Sequence, residues 1–193
     1  GMCFHFQQTQ SVAHFANSKF EGTPLRGVYN GFDFPLVSAT KASAPHRLES
    51  LRWGLIPHWA KSDEIKKYTL NARLETLHEK PSFREAKRCV IYTDGFYEWQ
   101  WLDPRGRCKQ KHLLTFPPLG FFAFAGLYDE WVDTATGEIV ESCSIVTTQA
   151  QGIMEKIHNS KLRMPVALDP EEQARWLNRQ KVNPFVDFEA TAV

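Results

Sequence analysis

The sequence predicts an α+β fold, a curved and mostly antiparallel β-sheet with a barrel-like core and short flanking helices. Three observations predict it. Stretches rich in aromatic and β-branched residues, at 89–102, 109–116, 121–131 and 139–147, outnumber the helical ones. Turn residues join them in pairs: Asp103-Pro104-Arg105-Gly106 links the first two, and 133–137 the second two. The helical signatures are short and scattered, with no internal repeat and no low-complexity segment.

In chain order, 3–6 reads as a first strand and 11–20 as a short helix with Val12, Phe15 and Ala16 on one face. From 22 to 57 the chain is rich in Pro, Gly and Asn, with strand-like pieces at 27–29 and 36–37. Residues 49–55 read as a strand. Residues 62–67 read as a helical turn capped by Ser62, with Asp63 and Glu64 at its positive end. Short helices are expected around 75–77, 82–86 and 150–157, and a short strand at 164–168. Asp169-Pro170-Glu171-Glu172 opens a final helix to about Asn178: Asp169 caps it, Pro170 takes the first turn, and the acids face the dipole. The tail from Lys181 is polar at its end and is expected to fray.

The chain has 193 residues, 42% of them hydrophobic and 23% charged, which predicts one domain over 1–193 with its own core. Gly1 reads as the scar of a cleaved tag, and about 181–193 as a tail. The longest uncharged apolar runs, such as 120–128, are too short to span a bilayer, and no signal peptide opens the chain. The expectation is a cytoplasmic monomer without membrane contact. Net charge is +1, so no global field attracts a polyanion. The charge is nevertheless polarised. Eight basic residues face four acidic ones over 80–111, whereas acids exceed bases from 169 onward. Cys3, Cys89, Cys108 and Cys143 form no C-x-x-C pair and no zinc pattern, so neither metal nor cofactor is expected.

Four positions carry candidate chemistry. With Met2 taken as the natural start, removal of that Met leaves Cys3 with a free α-amine and a thiol; otherwise Cys3 is a minor core residue. Asn71 can hold an amine or hydroxyl through its amide, or cap a helix. Glu98 sits among Phe96, Tyr97 and Trp99. Desolvation there would raise its pKa and make it a proton shuttle, unless it points from the sheet on the face opposite Tyr97 and Trp99. His158 follows a helix end, where it can protonate an oxygen or complement the dipole. Asp94 before Gly95 reads as a turn or bulge residue. The basic stretch beside Trp and Phe suits single-stranded nucleic acid, or is a solvated face.

Six motifs follow Met2-Cys3 in register. They are Arg52-Trp53-Gly54-Leu55-Ile56-Pro57, Asn71-Ala72-Arg73-Leu74-Glu75-Thr76, Lys80-Pro81-Ser82-Phe83-Arg84, the stretch from Cys89 through Asp94-Gly95-Phe96-Tyr97-Glu98-Trp99, Phe122-Ala123-Phe124-Ala125-Gly126-Leu127, and His158 with Arg163-Met164-Pro165-Val166. Together they resemble the SOS response-associated peptidase (SRAP) family over nearly the whole chain. Two departures stand out: Phe4-His5 follows Cys3 in place of the usual small residue and Arg, and four residues separate His158 from Arg163 where the commonest spacing is shorter.

The resemblance implies an SRAP-like fold and a sensor of abasic sites in single-stranded DNA. The mature N-terminal cysteine would trap the ring-opened sugar as a thiazolidine, and the protein would remove its own initiator Met. It further implies that Asn71 positions the Cys3 amine or thiol, that Glu98 shuttles protons, and that His158 assists the opening sugar oxygen. Arg73, Arg84 and Arg163 would hold phosphates, with Trp53 and neighbouring rings supporting stacked bases. In the cell this implies association with the nucleoid during repair. Two alternatives stay open: a non-covalent single-stranded DNA-binding module, and a thiol peptidase using Cys3 and His158.

Overall fold

The structure, a computed structural model, describes residues 3–9 and 21–193; the helix expected at 11–20 lies outside the described residues. In chain order the strands are β1 (His5–Gln8), β2 (Gly27–Asn30), β3 (Leu36–Lys41), β4 (Glu49–Trp53), β5 (Asn71–Arg73), β6 (Lys87–Thr93), β7 (Gly95–Trp101), β8 (Lys109–Thr115), β9 (Phe122–Val132) and β10 (Ile139–Gln149). Helix α1 (Met154–Ile157), β11 (Arg163–Pro165), β12 (Ala167–Leu168), helix α2 (Pro170–Leu177) and β13 (Glu189–Ala192) complete the chain.

Five strands close on themselves. β10 pairs with β4, β4 with β3, β3 with β6, β6 with β9, and β9 again with β10. This is the expected barrel-like core. Closure removes the free edges that an open sheet would expose. A second sheet runs in the order β13-β8-β7-β1-β2. Every pairing is antiparallel except those of β4 and β5 with β10.

The alternation of side chains explains how the two sheets share one core. One face of the barrel strands contributes Val37, Leu51, Trp53, Ile91, Phe124 and Ile145, and these pack with Phe6, Phe96 and Leu114 of the second sheet. The other face, with Val90, Ala123, Ala125 and Val146, packs under α2 through Trp176. The Trp176 indole donates to the Cys89 and Gly126 carbonyls, both at 3.0 Å. A Cβ on Gly126 would lie 2.8 Å from the Cys89 sulfur, so only glycine fits there.

The stretch read as one strand over 89–102 divides at Asp94. β6 joins the barrel and β7 the second sheet. Asp94 holds this corner by accepting from the Thr9 N–H at 2.9 Å and from the Thr9 hydroxyl. Its reading as a turn residue therefore agrees with the structure. The hairpin of β7 with β8, and that of β9 with β10, form as predicted. α2 also forms as predicted, with Asp169 accepting from the Glu172 N–H at 2.9 Å.

Three expectations require correction. Residues 150–157 yield helix only at Met154–Ile157. Residues 75–77 and 82–86 form turns that follow a strand, β5, rather than helices. The tail does not fray at its end: β13 pairs with β8 from Glu189↔Thr115 to Ala192↔His112, and Phe188 is buried against Phe96. Aromatic anchors at Phe185 and Phe188 outweigh the polar composition around them.

Candidate active site

The site forms where the far end of β10 meets the start of the second sheet. β10 carries β9 and then β11 along one edge, and β4 and then β5 along the other. That register sets Asn71 of β5 opposite Ile145, and Arg163 of β11 opposite Gln149. Cys3 enters just ahead of β1, which pairs with β7.

Cys3 is 1% exposed. Its carbonyl accepts from the Asn71 side-chain amide at 2.9 Å, and the next carbonyl, that of Phe4, accepts from the Gly31 N–H at 2.8 Å. Asn71 also donates to the Leu70 carbonyl at 2.9 Å. Both amide hydrogens are thus used, while its buried Oδ1 has no partner among the described residues. Burial pushes the Cys3 thiol well up, and the nearby Glu98 carboxylate adds to that rise; the His5 N–H opposes it.

Glu98 lies on β7, on the face it shares with Phe96, opposite Tyr97 and Trp99. That face is the buried one, and Glu98 is 5% exposed. Its Oε2 lies 3.6 Å from Nε2 of His158, and its buried Oε1 has no partner among the described residues. Burial holds its carboxyl well above the ordinary range, which favours the protonated acid. His158 caps α1, its N–H donating to the Met154 carbonyl at 2.9 Å. Nδ1 accepts from the Arg163 N–H at 3.0 Å, so the neutral ring carries its proton on Nε2, facing Glu98. Burial lowers the imidazole to about 4.

A cavity of about 220 Å³ opens on Glu98 and His158. Tyr97, Trp99, Trp101, Lys109, Phe4 and His5 wall it. The structure therefore joins Cys3 to Asn71 by a hydrogen bond, and Glu98 to His158 by proximity. Among the described residues, no group of three or more His, Cys, Asp or Glu is placed to hold a metal.

The residues expected to contact DNA separate. Arg73 and Arg84 are exposed. Arg163 is 7% exposed and committed elsewhere. It bonds the two Glu75 oxygens at 2.7 and 2.9 Å and the Thr147 hydroxyl at 3.1 Å, and it holds the Glu75 carboxyl down at about 2. Trp53 is 0% exposed, and its indole donates to the Leu70 carbonyl at 2.9 Å. A ring with no open face cannot stack a base, so Trp53 is a core residue and its assignment to DNA is withdrawn.

A different aromatic set faces outward. Tyr97, Trp99 and Trp101 alternate along β7, opposite Leu113, Lys111 and Lys109 of β8. The Lys111 ammonium lies 4.6 Å from the Tyr97 ring centroid and 5.4 Å from that of Trp99, and Lys109 lies 5.7 Å from that of Trp101. His5 packs edge-on against Trp99 with centroids 4.7 Å apart. The Tyr-x-Trp-x-Trp spacing at 97–101 was the available signal for this ladder.

The family model described as SOS response associated peptidase (SRAP) matches residues 2–188. Abasic site processing protein YoqW of Bacillus subtilis is 47% identical over 142 residues, covering 72% of this chain and 61% of that protein. Abasic site processing protein HMCES of Gallus gallus is 32% identical over 166 residues, covering 72% of this chain and 48% of its own. The chain thus spans about half to three fifths of the length of these relatives. A crystal structure of a protein from Bacteroides thetaiotaomicron matches with a TM-score of 0.89 at 32% identity, covering 99% of this chain and 92% of the other.

Proposed function

Since the chain belongs to the SOS response associated peptidase family, we propose that it processes abasic sites in single-stranded DNA by forming a covalent thiazolidine through Cys3. The observation that carries this reading is the Asn71–Cys3 hydrogen bond beside the Glu98–His158 pair. Relatives named as abasic site processing proteins support the substrate class.

The chemistry begins once residues ahead of Cys3 are removed, a step we assign to the protein itself. The freed α-amine has an ordinary pKa of about 7.7–8.0, so an appreciable fraction is nucleophilic near neutral pH. It adds to the C1′ aldehyde of the opened sugar, and the carbinolamine loses water to give an imine. The thiol then adds across the imine, its proton passing to nitrogen, and a five-membered ring closes. One water is lost overall. Ring closure is intramolecular, where effective molarities reach about 10⁵–10⁸ M.

The residues suit these steps. Asn71 holds the Cys3 carbonyl and leaves Oδ1 to accept from the amine. A protonated Glu98 can give its proton to the departing carbinolamine oxygen and take one back from the nitrogen as the imine forms, leaving the thiol proton to pass to that nitrogen when the ring closes. His158, with its proton on Nε2, can donate to the ring oxygen as the sugar opens. The raised thiol pKa argues against a thiol peptidase, which needs a stabilised thiolate. The Tyr97-Trp99-Trp101 ladder, with Lys109 and Lys111, supports single-stranded DNA as the partner, since rings stack bases and ammonium groups neutralise phosphates. Exposed Arg73 and Arg84 remain candidates for phosphate contact.

The test is incubation of protein beginning at Cys3 with an oligonucleotide carrying one abasic site, followed by a denaturing gel. A band shifted by the mass of the protein is expected. Shift on a native gel but not after denaturation would reduce the protein to a non-covalent binder.

A further inference from the structure

β7 has two edges at Trp101. One pairs with β8 through Lys109. The other faces away from β8, and the pairing of β7 with β1 reaches only Phe96 and Gly95. The side chain of Asn159 occupies that second edge. Its Oδ1 accepts from the Trp101 N–H at 3.0 Å, and its Nδ2 donates to the Trp101 carbonyl at 2.9 Å. One amide side chain thus reproduces the donor and acceptor that a neighbouring strand would present.

Asn159 directly follows His158, and the segment closes tightly behind it. The Leu162 N–H donates to the His158 carbonyl at 2.8 Å, and Leu162 is left-handed at φ 56°. Its own carbonyl accepts from the Ala150 N–H at 2.8 Å. The next residue, Arg163, donates to His158 Nδ1. The four residues between His158 and Arg163 therefore form a compact loop that is bonded to the imidazole at one end and to β7 at the other. Glu98 lies on β7 three residues before Trp101, so the Asn159 bonds tie the strand of one partner to the loop of the other.

We propose that Asn159 is a positioning residue that holds the His158 imidazole against Glu98 by completing the edge of β7 at Trp101. It touches no reacting atom and acts through His158. Its effect on the reaction rests on the function proposed above, but its effect on the imidazole does not. Without the clamp, the loop keeps its bonds to Ala150 and Arg163 but loses its tie to β7, so the imidazole is no longer held in register with Glu98. A proton transfer displaced by about 1 Å can slow by about a hundredfold.

The experiment compares wild type with Asn159→Ala and with the milder Asn159→Ser. The clamp is on an exposed edge where water can replace the lost bonds, so both variants should fold. Nitrogen-15 NMR of the His158 ring is read first. Wild type should show one tautomer protonated on Nε2. Asn159→Ala should show mixed tautomers and a titration moved up from about 4 toward 6.5, with Asn159→Ser between. Adduct formation should slow about tenfold to a hundredfold in Asn159→Ala, with no further loss when His158→Ala is added. An unchanged His158 spectrum in Asn159→Ala overturns the proposal, as does a rate loss that adds in full to that of His158→Ala. If wild type itself forms no adduct, the function falls, and the NMR comparison still decides the role of Asn159.

Discussion

At the scale of single residues, burial sets the acid–base behaviour of the site, and the signs differ between groups. Glu98 is raised, so the unfolded chain ionises first as pH rises above its ordinary 4.5. Its burial therefore costs stability increasingly toward neutral and alkaline pH. Glu98→Gln keeps the shape and removes that cost. The variant is expected to unfold at or above the wild-type temperature at pH 8, while adduct formation slows by about 10²–10⁴. Wild-type rates would end the role of Glu98 as proton shuttle. His158 and Glu75 act in the opposite direction, because both are lowered. The unfolded chain binds their protons first on acidification, so stability is lost from about pH 6.5 to 4 for His158 and from about 4.5 to 2 for Glu75. Arg163→Ala breaks the buried end of the Glu75 pair. Because Glu75 is part-exposed, the cost is expected at about 1–3 kcal/mol rather than that of a fully buried pair. It should appear as a lower Tm, and an unchanged Tm would contradict the structural role of this pair. The sequence marked Cys3, Asn71, Glu98 and His158 because their chemistry is legible from residue type beside turns. Trp53 was misjudged because an indole reads alike in a core and on a stacking surface, and only the packing of Phe6 and Leu70 around it decides.

At the scale of elements, β7 connects the Glu98–His158 pair to a surface. Alternation sends Phe96 and Glu98 inward and Tyr97, Trp99 and Trp101 outward, so one strand presents an acid to the pocket and rings to the surface. Lys111→Ala should reduce the log–log salt dependence of single-stranded DNA binding by roughly 0.7, the value for one neutralised phosphate. Arg73→Ala should do the same if it holds a second phosphate. Trp101→Ala should weaken binding by about 1–3 kcal/mol with the salt slope retained, since stacking releases no counterion. Equal slopes in all three variants would move the DNA path away from this face. The hairpins and α2 were legible because turn residues and the Asp169 cap are local signals. The division of 89–102 at Asp94 was not legible, because β-forming residues continue on both sides and the corner depends on Thr9, far away in sequence. β13 was missed for a related reason: its four residues carry little pattern, and Phe185 and Phe188 anchor the approach to it from outside the strand.

At the scale of the whole molecule, the closed β10-β4-β3-β6-β9 circuit is the frame to which β5, β11 and β12 attach. Two pairs far apart in sequence form there, Cys3 with Asn71 and Glu98 with His158. Class and curvature were predictable from strand count and hairpins, but ring closure was not, since it needs β10 to pair in parallel with β4 across a long stretch of chain. The net charge of +1 leaves no global attraction for a polyanion, so the proposed function relies on local contacts and on covalent capture. That capture depends on a free α-amine at Cys3. With Gly1 and Met2 attached, the Cys3 nitrogen is an amide, which forms no imine, and the thiol alone gives only a reversible hemithioacetal. The most direct measurement is the intact mass of the product formed with an abasic oligonucleotide, comparing protein verified to start at Cys3 with protein verified to start at Gly1. The account predicts a denaturation-stable conjugate from the first, equal to protein plus DNA less one water, and none from the second. A stoichiometric, stable conjugate from the chain that still begins at Gly1 would contradict it.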